Sequence, residues 1–174
     1  MYDLIIIGAG PAGLSMAAEA RSAGIAADRL LVLEKGEAHS WSIRKFYPEK
    51  KLVEANYKGK PAICNGVMCI PDLSKDETLS YLDQAIADHQ LDVRYSESVY
   101  GIERREDDGF DVRTGDSTYP CRVCVIAIGI LGRPNKPDYK IPPAARSKVH
   151  FDVTSTVLED QDVLVVGGGD SASE

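Results

Sequence analysis

Two short apolar runs in this chain are each followed directly by a glycine-rich segment, and this pattern limits the possible folds more than any other feature. Residues 4–7 (LIII) precede residues 8–13 (GAGPAG), and residues 163–166 (VLVV) precede residues 167–172 (GGGDSA). Short β-branched runs bounded by glycine are typical of buried parallel strands. The pattern predicts an α/β fold with a parallel sheet of the doubly wound kind.

The first of the two segments lies in a complete strand–helix–strand unit. Residues 2–7 predict a buried strand, and a helix is expected from Pro11 to about residue 23, where Gly24 would close it. Residues 29–34 predict the second strand. The unit spans about thirty residues, which is the size expected for a βαβ motif.

The residue types in this unit suit a dinucleotide. Gly8 would allow the tight turn, Gly10 the close approach of a diphosphate, and Gly13 the close packing of helix and strand. Glu34 lies 21 residues after Gly13, at the end of the second strand, where an acidic side chain can bind ribose hydroxyls. We therefore expect a dinucleotide site at this loop.

The second segment has the same small-residue positions, with Gly167, Gly169 and Ala172 in the three places. The following helix is only begun by Ser173 and Glu174, and the residues that would bind the second ribose or a 2′-phosphate are not in the chain. The expected nucleotide site is therefore partial.

The region between the two segments predicts further elements. Residues 35–71 are irregular, and residues 74–77 (SKDE) form a capping box that predicts a helix. Turn signals separate three short strands of an antiparallel meander on one side of the sheet. The three predicted meander strands are residues 99–104, 109–113 and 117–119. A further strand is predicted before them at residues 91–95 and another after them at residues 123–128. The last of these is expected to be buried and to end at Gly129.

Taken together, these motifs resemble the two-dinucleotide flavoprotein family that includes thioredoxin reductase. The resemblance rests on residues 6–13 (IIGAGPAG), Glu34, residues 125–129 (VIAIG) and residues 167–174 (GGGDSASE), and it covers nearly the whole chain. It implies a Rossmann-like FAD-binding domain at residues 1–145 and the beginning of an NAD(P)-binding domain at residues 146–174. Family members add a return strand that completes the FAD domain, so the chain is expected to be a piece of a longer enzyme or a truncated product.

The resemblance also implies a function. FAD is expected on the first loop, NADPH or NADH at the partial second site, and electron transfer from NAD(P)H through FAD to a disulfide or a ferredoxin-like protein. A flavin monooxygenase and a truncated binding module without turnover are the alternatives. The candidate cofactor-binding residues are Gly8, Gly10, Pro11, Ala12, Gly13, Glu34, Lys35, Val99, Ala127, Gly129, Gly167, Gly169, Asp170, Ser171 and Ala172. No catalytic residue is assigned.

Two cysteine pairs have spacings that could suit redox chemistry. Cys121 and Cys124 are expected in a strand, whose backbone would direct them to opposite faces. Cys64 and Cys69 have the spacing of the glutathione-reductase branch, but they come thirty residues after Glu34 instead of about ten. We expect a loop with two unpaired thiols there, and neither pair is assigned a redox role.

The composition sets the remaining expectations. The net charge of −7 argues against non-specific binding to nucleic acid or anionic membranes. The sequence lacks a long apolar segment and a signal peptide, and it contains four cysteines, so a cytoplasmic protein with free thiols is expected. Neither His39 nor His89 indicates a metal site. Exposed sheet edges could favour self-association, including a homodimer.

Overall fold

The computed structural model describes residues 1–56, 59–61, 63–130, 136–151 and 156–169. The chain divides into two compact units, Met1–Gly132 and Arg133–Glu174, which are described separately. The elements of the first unit are β1 (Tyr2–Ile7), α1 (Pro11–Ser22), β2 (Leu30–Leu33), α2 (Trp41–Phe46), β3 (Leu52–Val53), β4 (Leu73–Ser74), α3 (Lys75–Asp88), β5 (Val93–Arg94), β6 (Val99–Arg104), β7 (Phe110–Thr114) and β8 (Thr118–Ile126), with a short 3-10 helix at Ala27–Arg29.

Six strands form one mixed sheet in the order β5-β2-β1-β8-β7-β6. The pairs β5–β2, β2–β1 and β1–β8 are parallel, whereas β8–β7 and β7–β6 are antiparallel. The parallel part has the 3-2-1-4 strand order of doubly wound nucleotide-binding folds. The predicted α/β class, with a Rossmann-like parallel sheet and an antiparallel meander, is confirmed.

The two faces of β1 support two separate parts of the core. Leu4 and Ile6 face α1 and α3, where alanines at positions such as Ala17 let the helix approach the sheet closely. Ile5 and Ile7 face the other way and contact residues of the meander and of β2. The meander cluster, as we call this second group, consists of Ile5, Ile7, Leu31, Leu33, Val112, Tyr119 and Cys121.

Strand β8 differs from the sequence prediction because it joins two predicted strands into one. Its first residues pair with β7, and from Cys121 onwards it pairs with β1. Pro120 lies where β8 is paired with β7 only, so its missing N–H removes no hydrogen bond to β1. The second half is also less buried than predicted, with Val123 and Ile126 exposed.

In the second unit, a short 3-10 helix covers Pro143–Lys148, and the predicted strand at residues 163–166 is not formed. This prediction is wrong for a physical reason: a parallel strand requires neighbouring strands, and the described part of this unit contains none. Leu164, at the centre of the run, is 87% exposed. The predicted domain boundary between residues 145 and 146 stays a prediction.

Within the described residues, no helix combines the length and apolar character that crossing a membrane requires.

Candidate dinucleotide-binding site

Gly8 and Gly13 are required by the close approach of backbone segments. Gly8 has a φ of +107°, and a Cβ atom there would overlap the carbonyl group of Ala127. A Cβ atom at Gly13 would overlap the carbonyl oxygen of Gly8. These two glycines therefore hold β1, α1 and the end of β8 together.

Gly10 has a different environment, because a Cβ atom at this position would meet no protein atom within 4 Å. Gly10 is the N-cap residue of α1 and provides no side-chain cap, and Pro11 follows it in the first turn. The first amide groups of a helix lack intrahelical partners and favour anions. The space beside Gly10 and the amides of Ala12 and Gly13 could therefore accept a diphosphate.

Glu34 is buried at the end of β2 and is tied to the glycine loop. One carboxylate oxygen accepts a hydrogen bond from the backbone N–H of Ala9 at 2.8 Å. The other accepts one from the N–H of Gly36, also at 2.8 Å. Because each carboxylate oxygen has two acceptor positions, the side chain can still accept ribose hydroxyls.

Lys35 and Val99 occupy the surroundings of this acid. The Nζ atom of Lys35 lies 5.2 Å from the ring centroid of Trp41, in a cation–π contact. Val99 begins β6 and packs, partly buried, against the meander cluster. The segment before it is bonded to the acidic loop, since the N–H of Glu97 donates to the carbonyl oxygen of Glu34 at 2.9 Å.

Ala127 and Gly129 follow β8 and complete this end of the sheet. The N–H of Ala127 donates to the carbonyl oxygen of Ile7 at 2.8 Å, which places this segment beside the glycine loop. Gly129 has a φ of +70°, and a Cβ atom there would contact no other residue within 4 Å. The structure thus gathers the first loop, Glu34 and residues 127–129 at the carboxyl ends of three parallel strands, where ligands bind in such sheets.

His39 is a member of this neighbourhood that sequence reasoning missed. It is only 1% exposed, its Nδ1 atom is 3.0 Å from Ser40 Oγ, and its Nε2 atom is 3.0 Å from Asp83 Oδ1. Arg44 donates from Nε to the His39 carbonyl oxygen at 2.8 Å. The N–H of Ser40 in turn donates to the carbonyl oxygen of Ala9 at 2.9 Å.

This group, which we call the His39 network (His39, Ser40, Arg44 and Asp83), connects α3 to the glycine loop. Burial lowers the pKa of His39, and the nearby Arg44 guanidinium acts in the same direction. No short-range sequence pattern predicts the His39 network, because Asp83 is 44 residues from His39.

The second glycine segment is not assembled into a site in the described part of its unit. Gly167 has a φ of +137°, and Gly169 has no atom within 4 Å of a hypothetical Cβ. Asp170, Ser171 and Ala172 lie outside the described residues. The roles of these five positions stay predictions.

The structure corrects both expectations about the cysteines. Cys64 and Cys69 are joined by a disulfide with a Cα–Cα distance of 5.4 Å, so the prediction of two unpaired thiols is wrong. The turn at Gly66 brings them together, and it is held against Glu19 of α1.

Cys121 and Cys124 are free, but they do not face opposite sides of the sheet as predicted. Cys121 belongs to the meander cluster and Cys124 packs against the same cluster. Cys121 pairs with Phe110 and Tyr2, which also pack in or against this cluster, and Cys124 lies opposite Ile5, another of its members. Donation to Cys124 and burial both raise the pKa of Cys121.

No group of three or more His, Cys, Asp or Glu side chains suited to a metal ion occurs in the described ranges.

Known proteins with related sequences are redox enzymes. The chain is 33% identical over 175 residues to a ferredoxin–NADP reductase of Lactococcus lactis subsp. cremoris, covering 98% of this chain and 49% of the relative. It is 30% identical over 178 residues to a thioredoxin reductase of Listeria monocytogenes, covering 100% of this chain and 48% of the relative. The chain thus spans about half the length of the curated relatives that it matches.

A solved structure supports the same relationship. The bacillithiol disulfide reductase of Staphylococcus aureus superposes with a TM-score of 0.58 at 28% identity, covering 74% of this chain and 38% of the other. Residues 5–174 match the sequence profile of the pyridine nucleotide-disulphide oxidoreductases. The chain therefore belongs to the pyridine nucleotide-disulphide oxidoreductase family.

Proposed function

We propose that this chain is the FAD-binding part of an oxidoreductase that passes electrons from NAD(P)H through FAD to a disulfide or a ferredoxin-like protein. The observation that carries the proposal is the open space at Gly10 beside the buried carboxylate of Glu34. Membership of the family supports it, as do relatives named for NADP, ferredoxin, thioredoxin and a disulfide.

The proposed binding roles follow from the geometry of the loop. The amides of Ala12 and Gly13 would bind the diphosphate, with Pro11 fixing the first turn of α1. Glu34 would accept ribose hydroxyls while it holds the N–H of Ala9. When bound, FAD supplies the hydride and electron chemistry, and the protein positions it.

The remaining proposed residues complete the cofactor surroundings. Lys35 and Val99 would border the nucleotide end, and Ala127 and Gly129 would close over FAD. The NAD(P)H site of the whole enzyme would include Gly167, Gly169, Asp170, Ser171 and Ala172. The corresponding domains are proposed at residues 1–145 and 146–174.

A cytoplasmic location and the absence of nucleic-acid or membrane partners are also proposed, and the net charge of −7 supports the latter.

Titration of the purified chain with FAD tests this function. We expect uptake of FAD, seen as visible absorption at about 370 and 450 nm that stays with the protein during gel filtration. Gly10→Ser should weaken FAD binding at least about tenfold, a loss of about 1.4 kcal/mol, because its side chain occupies the diphosphate space. Serine is a good N-cap residue, so the melting temperature should be unchanged or slightly higher.

Gly8→Ala is the matched control for the fold. It places a Cβ atom on a backbone with positive φ and against the Ala127 carbonyl, so we expect a clear fall in melting temperature. The FAD proposal is overturned if the folded wild-type chain takes up no FAD, or if Gly10→Ser binds FAD as tightly as the wild type.

A further inference from the structure

The disulfide between Cys64 and Cys69 lies on the surface of the first unit. Both cysteines are exposed, and the preceding Ile63 is 80% exposed. The segment that carries them, residues 63–72, forms neither helix nor strand. A small solute can therefore approach the sulfur atoms without any opening of the core.

Contacts of the disulfide segment, on the side of Cys69, hold it to helices α1 and α3. Glu19 of α1 accepts a hydrogen bond from the N–H of Val67 at 2.7 Å. The hydroxyl of Tyr81 in α3 lies 2.9 Å from the N–H of Cys69 and accepts from it. Met68 and Ile70 pack against the core beneath α1. These contacts do not use the disulfide, so the Cys69 side can stay in place when the sulfurs separate.

The disulfide is a site apart from the glycine loop. Its turn contacts α1 at Glu19, eight residues after Pro11. At 1.5 Å per residue, this position is about 12 Å along the helix from its N-terminus. The disulfide therefore does not lie beside the amides of the first turn, where a diphosphate would bind.

The bond also contributes little that the fold requires. Stabilisation by a disulfide increases with the length of the loop it closes, and these two cysteines are only five positions apart in sequence. Neither cysteine belongs to the buried core. An exposed disulfide that closes a short surface loop can be reduced without loss of the sheet.

We propose that Cys64 and Cys69 form a reversible thiol–disulfide exchange site whose reaction partner is a low-molecular-weight thiol. The thiolate of this partner attacks one sulfur, forms a mixed disulfide and releases the other cysteine as a thiolate. A second thiol attacks the mixed disulfide. The Cys64–Cys69 bond gains two electrons and two protons, and two small thiols are oxidised to one small disulfide.

Glutathione is the probe for this proposal. The folded chain is incubated in buffers with graded ratios of reduced to oxidised glutathione. It is then unfolded in the presence of N-ethylmaleimide, which labels free thiols, and the number of labels is determined by mass spectrometry. Because Cys121 and Cys124 are free, the oxidised chain should carry two labels and the reduced chain four. We expect full, reversible conversion, at a rate within about tenfold of that in urea-unfolded chain.

Three variants complete the experiment. Cys64→Ser and Cys69→Ser should each leave a thiol that forms a mixed disulfide with oxidised glutathione, detected by its mass. Cys124→Ser, the matched control, should keep the conversion, now from one label to three. The control removes a free thiol that packs against the meander cluster and leaves Cys64 and Cys69 unchanged.

Two results would overturn the proposal. One is four labels in the chain under oxidising glutathione, which would mean that no disulfide forms. The other is a disulfide that survives reducing glutathione in the folded chain and is lost only in urea, which would make it structural. Neither result bears on FAD binding, because the measurement uses the chain without flavin.

Discussion

The imidazole of His39 is the most completely buried titratable ring among the described residues. Burial is the largest influence on it and lowers its pKa from the usual value of 6.5, with Arg44 acting in the same direction. Asp83 and Glu34 oppose this change but do not reverse it. The ring is therefore neutral in the folded chain at neutral pH, and the unfolded chain binds a proton at His39 more readily.

This difference predicts that stability falls on acidification. Well above pH 6.5 both states are almost entirely unprotonated at His39, whereas as the pH falls through 6.5 the unfolded state takes up a proton that the folded state resists. The free energy of unfolding should then fall by at most about 1.4 kcal/mol per pH unit for this one proton. Urea unfolding of the wild type and of His39→Gln, compared from pH 5 to 8, measures the effect.

The His39→Gln variant should show a shallower dependence on pH across this range. His89→Gln, at the end of α3, is the matched control and should keep the wild-type slope. If the two variants and the wild type have the same slope, the burial of His39 is not a source of acid sensitivity.

Residues whose role depends on local spacing could be predicted from the sequence. Residues whose role depends on how the long segment between β2 and α3 folds could not. Gly8, Gly13 and Glu34 lie within one short βαβ unit, so spacing alone placed them at one end of the sheet. His39 meets Asp83 of α3 across 44 residues of sequence, a contact that no local spacing predicts. The Cys64–Cys69 disulfide depends on the same long segment.

At the scale of elements, α3 begins with the capping box that the sequence predicts. Ser74 Oγ accepts from the N–H of Glu77, and the Glu77 carboxylate accepts from the N–H of Ser74 at 2.9 Å. Ser74→Ala should lower the free energy of unfolding by about 1 kcal/mol, because an amide of the first turn loses its acceptor. Chemical denaturation followed by circular dichroism provides the measurement.

The same substitution elsewhere in α3 provides the comparison. Ser80 is exposed in the middle of the helix, so Ser80→Ala should be neutral or slightly stabilising, because alanine has the higher helix propensity. Equal losses for Ser74→Ala and Ser80→Ala would contradict a role for the cap.

Two predicted strands differ from the sequence pattern, because hydrogen-bonded pairing with a neighbouring strand decides whether a strand forms. Residues 163–166 have the composition of a buried strand, yet they form none because the described part of their unit offers no strand to pair with. Conversely, β8 passes through Pro120 because one side of the strand needs no hydrogen bond at that residue. Composition describes what a strand can bury, whereas hydrogen-bonded partners determine whether it forms.

At the scale of the whole molecule, helices cover one face of the sheet in the first unit, the meander cluster packs on the other, and several exposed apolar side chains are grouped at the end of β8. Residues 122–126 pair with β1 on one side and have no strand on the other among the described residues. Val123, Ile126 and Ile128 are 51%, 63% and 70% exposed. An open strand edge with adjacent apolar side chains is a typical site of association between chains.

We therefore predict that the 174-residue chain self-associates through this edge. Sedimentation velocity should show a sedimentation coefficient that rises with protein concentration. Ile126→Lys should weaken the association at least about tenfold, because a charged side chain must lose water to enter the contact. Leu52→Lys, at an exposed residue of β3, should leave it unchanged. A wild-type chain that is monomeric at every concentration, or equal effects of the two variants, would show that the β8 edge does not mediate contact.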